Sequence, residues 1–419
     1  MKRLKFGAEL NPPSSALPGL TQDSEVSFVP MEAVGERGGL DLTLTKHLAE
    51  IGAGYTYFAD GDVIVAKITP CFENGKGALA VGLVNGIAFG TTELHVLRAS
   101  DALDRRYLFY VTDSAAFRRL GEGEMYGAGG QKRVPESFVK NLRHPFPSML
   151  EQRAIATFLD REITRIDSLV AKKERLIELL QERRTTLITR AVTKGLDPTV
   201  HMKDSGVEWL GEVPAHWEVR KLKHVCERVF VGIAEAATFA YVDDGVPMLR
   251  STDIRGNRVR TDDIRRIDRL FAERLLTKQL RTGDIVTVRT GNAGVSAVVP
   301  AEYDGGQCFT LVVSRPATGH HSRYLCYWLN APVGQKQFAI EGVGTAQVNI
   351  SVPIVQNVIV CVPPNPQQDA VAEFLGVELG RCDAMTAKVE EAIARLKELR
   401  TALISAAVTG KIDVREEAA

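Results

Sequence analysis

A long segment of the chain occurs twice, and this duplication restricts the possible folds more than any other feature. Residues 152–197 align without gaps on residues 368–413, and about half of the aligned positions carry the same amino acid. Asp167 matches Asp383, and Arg184 matches Arg400. A repeat of this length predicts two copies of one structural unit within the chain.

Each copy is predicted to be a single long helix. Ser148 with Glu151 forms a capping box before the first copy, and Asn365 with Pro366 gives the second a cap and a first-turn proline. About 45 residues at 1.5 Å each make a helix of roughly 65 to 70 Å. Because neither helix can bury its apolar stripe alone, we expect the two to pack as an antiparallel coiled coil. In the first copy the stripe consists of residues spaced three and four apart: Ile155, Leu159, Ile163, Ile166, Val170, Ile177, Leu180, Leu187 and Ala191.

The segments before the two helices also resemble each other, more weakly. Short β-branched runs mixed with helical pieces predict α+β domains, so the expected order is globule, helix, globule, helix with a pseudo-two-fold internal repeat. The matching motifs are residues 28–31 with 246–249, residues 61–65 with 283–287, and glycine-rich patches at 127–131 and 342–347. The predicted boundaries are 1–147 and 199–364 for the globules, 148–198 and 365–413 for the helices, and 414–419 for a tail.

The composition narrows the class of protein. The 419 residues include 52 basic and 52 acidic side chains, a formal net charge of +0, which argues against a polycationic coat on nucleic acid. No apolar run reaches the roughly 18 residues of a membrane span, and the first residues lack the apolar core of a signal peptide. We therefore expect a cytoplasmic protein. The six scattered cysteines and the adjacent His320 and His321 lack zinc-ligand spacing, so no metal site is predicted.

Several of these motifs occur together in one known family. They are residues 158–159, 165–167 and 191–195 of the first helical copy, the segment 209–217, and residues 283–291. With these motifs the chain resembles the specificity subunit of a type I restriction–modification system. The resemblance implies that each globule is a target-recognition domain for one half of a split double-stranded DNA sequence, and that the helices set the spacing and dock partners.

The partners implied by the resemblance are two modification subunits, which methylate adenine with S-adenosylmethionine, and motor-nuclease subunits in the full complex. S-Adenosylmethionine, ATP and Mg would then be bound by the partners, and this chain would be non-catalytic and bind no cofactor. Part of the charged helix surface, including Arg183, Arg184 and Lys397, is a candidate docking face. An alternative is a coiled-coil scaffold whose globules bind protein rather than DNA.

The candidate DNA-binding residues are Arg, Lys, Asn, Gln and Thr on predicted turns. Arginine and lysine suit guanine, asparagine and glutamine suit adenine, and lysine, arginine and threonine also suit phosphate. In the first globule the candidates are Lys67, Thr69, Asn74, Lys76, Gln131, Lys132 and Arg133. In the second globule they are Arg250, Thr252, Arg255, Asn257, Arg289, Thr290, Asn292, Gln347 and Asn349.

Residues 11–14 raise the question of catalysis. Their sequence, Asn-Pro-Pro-Ser, resembles the loop with which amino-methyltransferases hold a target base, but serine replaces the final aromatic residue. Only ten residues precede the motif, which leaves no room for a cofactor-binding fold before it. A proline-stiffened loop is therefore expected. The glycines form no phosphate-binding motif, so ATP hydrolysis is not expected either.

Overall fold

The computed structural model describes residues 1–14, 19–52, 54–128, 130–233, 240–260, 262–341 and 349–414. The chain divides into two compact units. Unit 1 comprises Met1–Glu174 and Glu390–Ala419, and unit 2 comprises Arg175–Val389. Each unit therefore contains one globular segment and a part of each long helix.

The helices include the two long ones that the repeat predicts. In chain order they are α1 (Arg105–Asp113), α2 (Ala115–Gly123), α3 (Glu136–Asn141), α4 (Met149–Lys194), α5 (Arg269–Glu273), α6 (Ser322–Asn330), α7 (Pro332–Glu341), α8 (Val352–Asn357) and α9 (Asn365–Val408). Short 3-10 helices lie at Leu4–Phe6, Met31–Ala33, Leu48–Glu50, Val84–Gly86, Leu222–His224, Ser251–Asp253, Leu276–Lys278 and Ala301–Tyr303. The predicted α+β class with two long, mutually packed helices is confirmed.

The ends of α4 and α9 follow from local chemistry. At the start of α4, Ser148 N–H donates to Glu151 Oε2 at 3.0 Å and Glu151 N–H donates to Ser148 Oγ at 3.3 Å, as a capping box requires. The helices end a few residues before the predicted limits of 198 and 413, because Gly195 and Gly410 adopt left-handed φ angles of 78° and 72°.

Unit 1 is built around two four-stranded sheets. Its strands are β1 (Lys2–Arg3), β2 (Ala8–Leu10), β3 (Glu25–Val29), β4 (Thr45–His47), β5 (Thr56–Ala59), β6 (Val63–Ala66), β7 (Gly77–Leu79), β8 (Ile87–Gly90), β9 (Leu94–Ala99), β10 (Tyr126–Ala128), β11 (Gln131–Arg133) and β12 (Arg143–His144). The larger sheets have the orders β2-β9-β6-β7 and β4-β3-β8-β5, while β1 pairs with β12 and β10 with β11.

Unit 2 repeats this plan. Its strands are β13 (Met202–Asp204), β14 (Glu212–Pro214), β15 (Glu218–Lys221), β16 (Cys226–Val231), β17 (Tyr241–Val242), β18 (Val246–Leu249), β19 (Ile254–Arg255), β20 (Arg258–Val259), β21 (Arg265–Ile267), β22 (Ile285–Thr287), β23 (Ser296–Val298), β24 (Gln307–Cys308), β25 (Val312–Pro316) and β26 (Ile359–Val362). The sheets have the orders β16-β25-β22-β23 and β17-β21-β18-β24, with β13–β14, β15–β26 and β19–β20 as separate pairs.

The two units share their sheet design as well as their strand content. The order β2-β9-β6-β7 in unit 1 corresponds to β16-β25-β22-β23 in unit 2. The second sheet of each unit contains one parallel pair, β3 with β8 and β18 with β24. The weak sequence echoes between the globules therefore mark equivalent strands.

The Gly-Asp motif before β6 and β22 has the same structural role in both units. Asp62 accepts hydrogen bonds from Arg98 Nε at 2.8 Å and Nη2 at 2.7 Å, and Asp284 accepts the same two bonds from Arg315 at the same distances. Both carboxylates are buried. A bidentate pair of this kind fixes the strand that follows the motif against the strand that carries the arginine.

The helices pack antiparallel within each unit, through residues that the repeat makes equivalent. In unit 1, Ile155, Leu159 and Ile163 of α4 share a core with Ile404, Ala407 and Val408 of α9. In unit 2, Val371, Leu375 and Leu379 of α9 share a core with Ile188, Ala191 and Val192 of α4. The positions that α4 contributes to the core of unit 1 are therefore the ones that α9 contributes to the core of unit 2, and the reverse also holds.

A buried tyrosine attaches each globule to the end of a long helix. Tyr107 on α1 places its hydroxyl 3.1 Å from Val408 O at the end of α9. Tyr324 on α6 places its hydroxyl 3.1 Å from Val192 O near the end of α4. Carbonyls at a helix end lack partners within the helix, so these hydroxyls satisfy buried acceptors. In unit 2, buried Trp217 packs beside Gly195 and donates to Gln367 Oε1 at 2.9 Å.

Candidate nucleic-acid interface

In unit 1 the glycine-rich patch folds back onto the end of β6. Val134 N–H donates to Lys67 O at 2.8 Å, and Thr69 N–H donates to Lys132 O at 3.0 Å. The Thr69 hydroxyl donates to Gly130 O at 2.7 Å and accepts from Lys132 N–H at 3.0 Å. These bonds bring five of the candidate residues into one surface, here called the unit 1 loop pair: Lys67, Thr69, Gln131, Lys132 and Arg133.

The β10–β11 hairpin in this loop pair has a glycine where other residues would not fit. Gly127 has a φ of 143°, and a Cβ atom there would lie 2.3 Å from Gln131 O. Tyr126, Gln131 and Lys132 on the hairpin are exposed. The hairpin therefore presents aromatic, amide and cationic side chains to solvent. Tyr126 was not among the residues predicted from the sequence to contact DNA.

Arg133 is held by a carboxylate that the sequence did not reveal. Its Nε lies 2.9 Å from Glu93 Oε2 and its Nη2 lies 2.7 Å from Glu93 Oε1. The hydrogen bonds lower the pKa of Glu93 and raise that of Arg133, so both groups are charged at neutral pH. Two residues after Glu93, buried His95 donates from Nε2 to Val134 O at 2.9 Å, and its burial lowers the pKa of the imidazole.

Asn74 and Lys76 contact a different part of unit 1. Asn74 Nδ2 donates to Glu36 Oε1 at 3.3 Å, and Lys76 Nζ donates to Met31 O at 2.8 Å. Asn74 is exposed, whereas Lys76 is half-buried. Neither side chain is hydrogen-bonded to the unit 1 loop pair, and a DNA contact by these two candidates stays a prediction.

Unit 2 has an equivalent loop pair. Ile350 N–H donates to Arg289 O at 3.0 Å, the counterpart of the bond between Val134 and Lys67, and Arg289 Nε donates to Ile350 O at 3.1 Å. Thr290, Asn292 and Asn349 are exposed beside this contact. We call Arg289, Thr290, Asn292 and Asn349 the unit 2 loop pair. Gln347 lies outside the described residues.

The remaining candidates of unit 2 make internal contacts. Arg250 donates to Asp253 Oδ1 at 2.9 Å and to Asp263 O at 2.7 Å. Asn257 has a left-handed φ of 67°, and its Oδ1 accepts from Asn330 on α6 at 2.8 Å. Thr252 and Arg255 are exposed. The turn that carries Asn257 thus packs against α6 and, through Arg258, pairs with Asp383 on α9 at 2.6 Å. A DNA contact by these four candidates stays a prediction.

The doubtful catalytic motif has a structural role. Asn11, with a left-handed φ of 51°, donates from Nδ2 to Glu136 at 2.8 Å and accepts at Oδ1 from Val96 N–H at 2.9 Å.

His321 lies at the N-terminus of α6 and accepts from Tyr324 N–H. Burial raises the thiol pKa of Cys308 and Cys326 to about 12.

The described residues contain no cluster of three or more His, Cys, Asp or Glu residues able to hold a metal ion. Among the helices they form, none is both long and apolar enough to cross a membrane.

Comparison with known proteins gives sequence relatives for the chain. The EcoAI specificity subunit of Escherichia coli is 44% identical over 151 residues, which are 35% of this chain and 25% of that protein. The EcoEI specificity subunit is 46% identical over 140 residues, 32% of this chain and 23% of that protein. The MjaVIII specificity subunit of Methanocaldococcus jannaschii is 23% identical over 351 residues, 82% of this chain and 78% of that protein. The matches to the first two relatives span about a quarter of their length. No protein-family model matches the chain.

Solved structures share the fold. A chain from a type I R-M system, studied for complex assembly and conformational transition, matches with a TM-score of 0.75 at 17% identity and covers 98% of this chain. The HsdS subunit from Thermoanaerobacter tengcongensis matches with a TM-score of 0.56 at 17% identity, also over 98% of this chain. The fold is thus a duplicated α+β domain carried on paired long helices. With these sequence relatives, the resemblance of the chain to type I restriction enzyme specificity subunits is confirmed.

Proposed function

We propose that this chain is the non-catalytic specificity subunit of a type I restriction–modification complex. In this proposal each globule binds one half of a bipartite double-stranded DNA target, and partner subunits carry out the chemistry. The sequence relatives and the shared fold support the class of protein. The loop pairs support the location of the DNA contacts.

The observation that carries the proposal is that equivalent loop pairs occur in both units and present different side chains. The bond from Val134 to Lys67 O and the bond from Ile350 to Arg289 O occupy equivalent places in the two units. At equivalent positions the unit 1 loop pair carries Arg133 and the unit 2 loop pair carries Asn349. Arginine and asparagine offer different donor patterns to base edges, so an equally placed loop would read a different sequence in each unit.

The long helices would set the spacing and dock the partners. At 1.5 Å per residue, the 46 residues of α4 extend over about 69 Å. By holding the two globules at a fixed separation, the helices would select half-sites that lie about one turn of the DNA helix, roughly 34 Å, apart. Because the chain contains two copies of one helix sequence, it can offer two similar docking faces to two modification subunits. Arg183 is exposed and suits such a face, whereas Arg184 is paired with Asp383.

No cofactor is assigned to this chain in the proposal. S-Adenosylmethionine would be bound by the modification subunits, and ATP and Mg by the motor-nuclease subunits. The balanced charge of the chain is compatible with this division, because partners could supply much of the phosphate contact while the loop pairs contact base edges.

Selection from a random duplex library tests DNA recognition by the chain itself. The purified full chain, at low salt to retain weak phosphate contacts, is expected to enrich a motif with two short specified blocks separated by an unspecified spacer. An unrelated protein of equal net charge is the control for nonspecific retention. Enrichment of no motif, together with binding to a protein partner through the globules, would instead favour the scaffold alternative.

A further inference from the structure

The pair of Glu93 and Arg133 suggests a specific base for one half of the target. We infer that Arg133 reads a guanine in the half-site bound by unit 1, and that Glu93 is the positioning residue that aims its guanidinium. This inference rests on the proposed function and deepens it.

The hydrogen bonds to Glu93 occupy the side edge of the Arg133 guanidinium and leave its terminal edge available for a second partner. Nε and Nη2 face the carboxylate at 2.9 and 2.7 Å. Nη1 has no hydrogen-bond partner among the described residues, and Nη2 has a second N–H. These two groups form the terminal edge of the fork, which matches the O6 and N7 acceptors of guanine in the major groove.

Contacts limit the movement of Arg133 both at its backbone and at its guanidinium group. Its backbone lies in β11 and forms a bridge with Ile68, while the neighbouring Val134 and Lys132 are bonded to Lys67 and Thr69. Its side chain remains 40% exposed in the ion pair. An arginine that is fixed in direction and open at its tip loses little freedom when it forms two more bonds, which favours base reading over a mobile phosphate contact.

The neighbouring residues suit the phosphate contacts better. Lys132 is exposed on the same hairpin, and its side chain has no ion pair within the part of the chain that the structure describes. A lysine ammonium on a flexible stem approaches phosphate as a point charge without a required direction. The hairpin thus separates the two tasks, with direction supplied by Arg133 and charge supplied by Lys132.

The repeat indicates that the guanine belongs to one half-site only. The residue equivalent to Arg133 in unit 2 is Asn349. An asparagine amide pairs with the N6 and N7 edge of adenine and cannot present the arginine fork. The inference therefore predicts an effect of Arg133 substitutions on one block of the bipartite motif and none on the other.

The test measures binding of the full chain to duplexes that carry every single-base change of its selected motif. Arg133→Lys keeps the charge and removes the fork. It is expected to reduce discrimination at one guanine of one block by about 5- to 150-fold, with affinity for random duplex within about twofold of the original chain. Glu93→Gln keeps Arg133 and is expected to weaken discrimination at the same guanine. Arg143→Ala, an exposed arginine outside the loop pair, is the matched control and should leave both blocks unchanged.

The outcomes separate the inference from the proposed function. A motif that is unchanged in Arg133→Lys, or a loss of affinity that is equal for specific and random duplexes, overturns the assignment while DNA recognition stands. A chain with no sequence preference before substitution overturns the proposed function, and the inference with it. Thermal melting of each variant checks that its fold is retained, and Glu93→Gln supplies an independent measurement should Arg133→Lys melt early.

Discussion

At the scale of single residues, the Thr69 hydroxyl is central to the unit 1 loop pair. It donates to Gly130 O and accepts from Lys132 N–H, so one side chain is bonded both to the turn before β11 and to β11 itself. Among the candidate threonines in the described part of the chain, no other hydroxyl both donates and accepts a hydrogen bond. The geometry of Arg133 and Lys132 should depend on this hydroxyl, although Thr69 itself need not contact DNA.

Thr69→Val tests this dependence. Valine keeps the shape of threonine and removes both hydroxyl bonds, at a local cost of about 1–2 kcal/mol. Hydrogen exchange at the Lys132 amide should accelerate about tenfold, and discrimination in one block of the motif should weaken. Thr69→Ser retains the hydroxyl and is the control. Unchanged exchange at Lys132 in the valine variant would show that the hairpin is held by other contacts.

The loop pairs show what sequence can and cannot predict about a site. The glycine-rich patches and the strand ends at Lys67 and Arg289 were identifiable because turn residues have strong local preferences. Glu93 was not, because its partner Arg133 lies 40 positions away and no local pattern signals a cross-strand ion pair. The contact of Asn257 with Asn330, 73 positions away, was missed for the same reason.

At the scale of elements, the repeat places one ion pair twice between the long helices. Arg400 on α9 pairs with Asp167 on α4 at 3.5 Å in unit 1, and Arg184 on α4 pairs with Asp383 on α9 in unit 2. Their surroundings differ. Arg400 is buried and also reaches buried Asp113 at 3.1 Å, whereas the side chain of Arg184 is 30% exposed. Burial raises the pKa of Asp113, and Arg400 opposes that rise.

Equivalent substitutions should therefore have unequal effects. Arg400→Met leaves the Asp113 carboxylate buried with less compensation and is expected to destabilise unit 1 by about 3 kcal/mol. Arg184→Met removes a partly solvated pair and should cost unit 2 at most about 1 kcal/mol. Urea unfolding gives the free energies, and hydrogen exchange assigns each loss to its unit. Equal losses in the two variants would contradict the difference in burial.

The helices themselves were the most predictable elements. Their spacing of apolar residues repeats every turn, so a long stretch gives many consistent signals. The start of α4 was also predictable, because Ser148 and Glu151 lie within one turn of each other. The second start differs from the prediction, because Asn365, the predicted cap, is the first residue of α9, and the Gln367 and Gln368 N–H groups donate to Pro364 O at 2.9 and 3.1 Å. The Gln368 side chain accepts from His321 N–H and donates to Pro363 O, as that of Gln152 does with Asp104 N–H and Pro147 O at the start of α4.

At the scale of the whole molecule, duplication accounts for the design of both units. The order of the first sheet, the parallel pair in the second sheet, the Gly-Asp to arginine pair, and the tyrosine contact to a helix end recur in each. Strand order and pairing could not be predicted from the short, irregular β-runs, because partners far apart in sequence determine them. The units differ in the second sheet, in the pairs β13–β14 and β19–β20 that only unit 2 contains, and in the side chains of the loop pairs.

The most direct test of the central claim is the methylome of the host with and without this gene. We predict one bipartite motif with methylated adenine in the unmodified host, its complete loss on deletion, and its return when the intact gene is restored. The same motif should be enriched by the purified chain from random duplexes. A methylome that is identical before and after deletion would contradict the account.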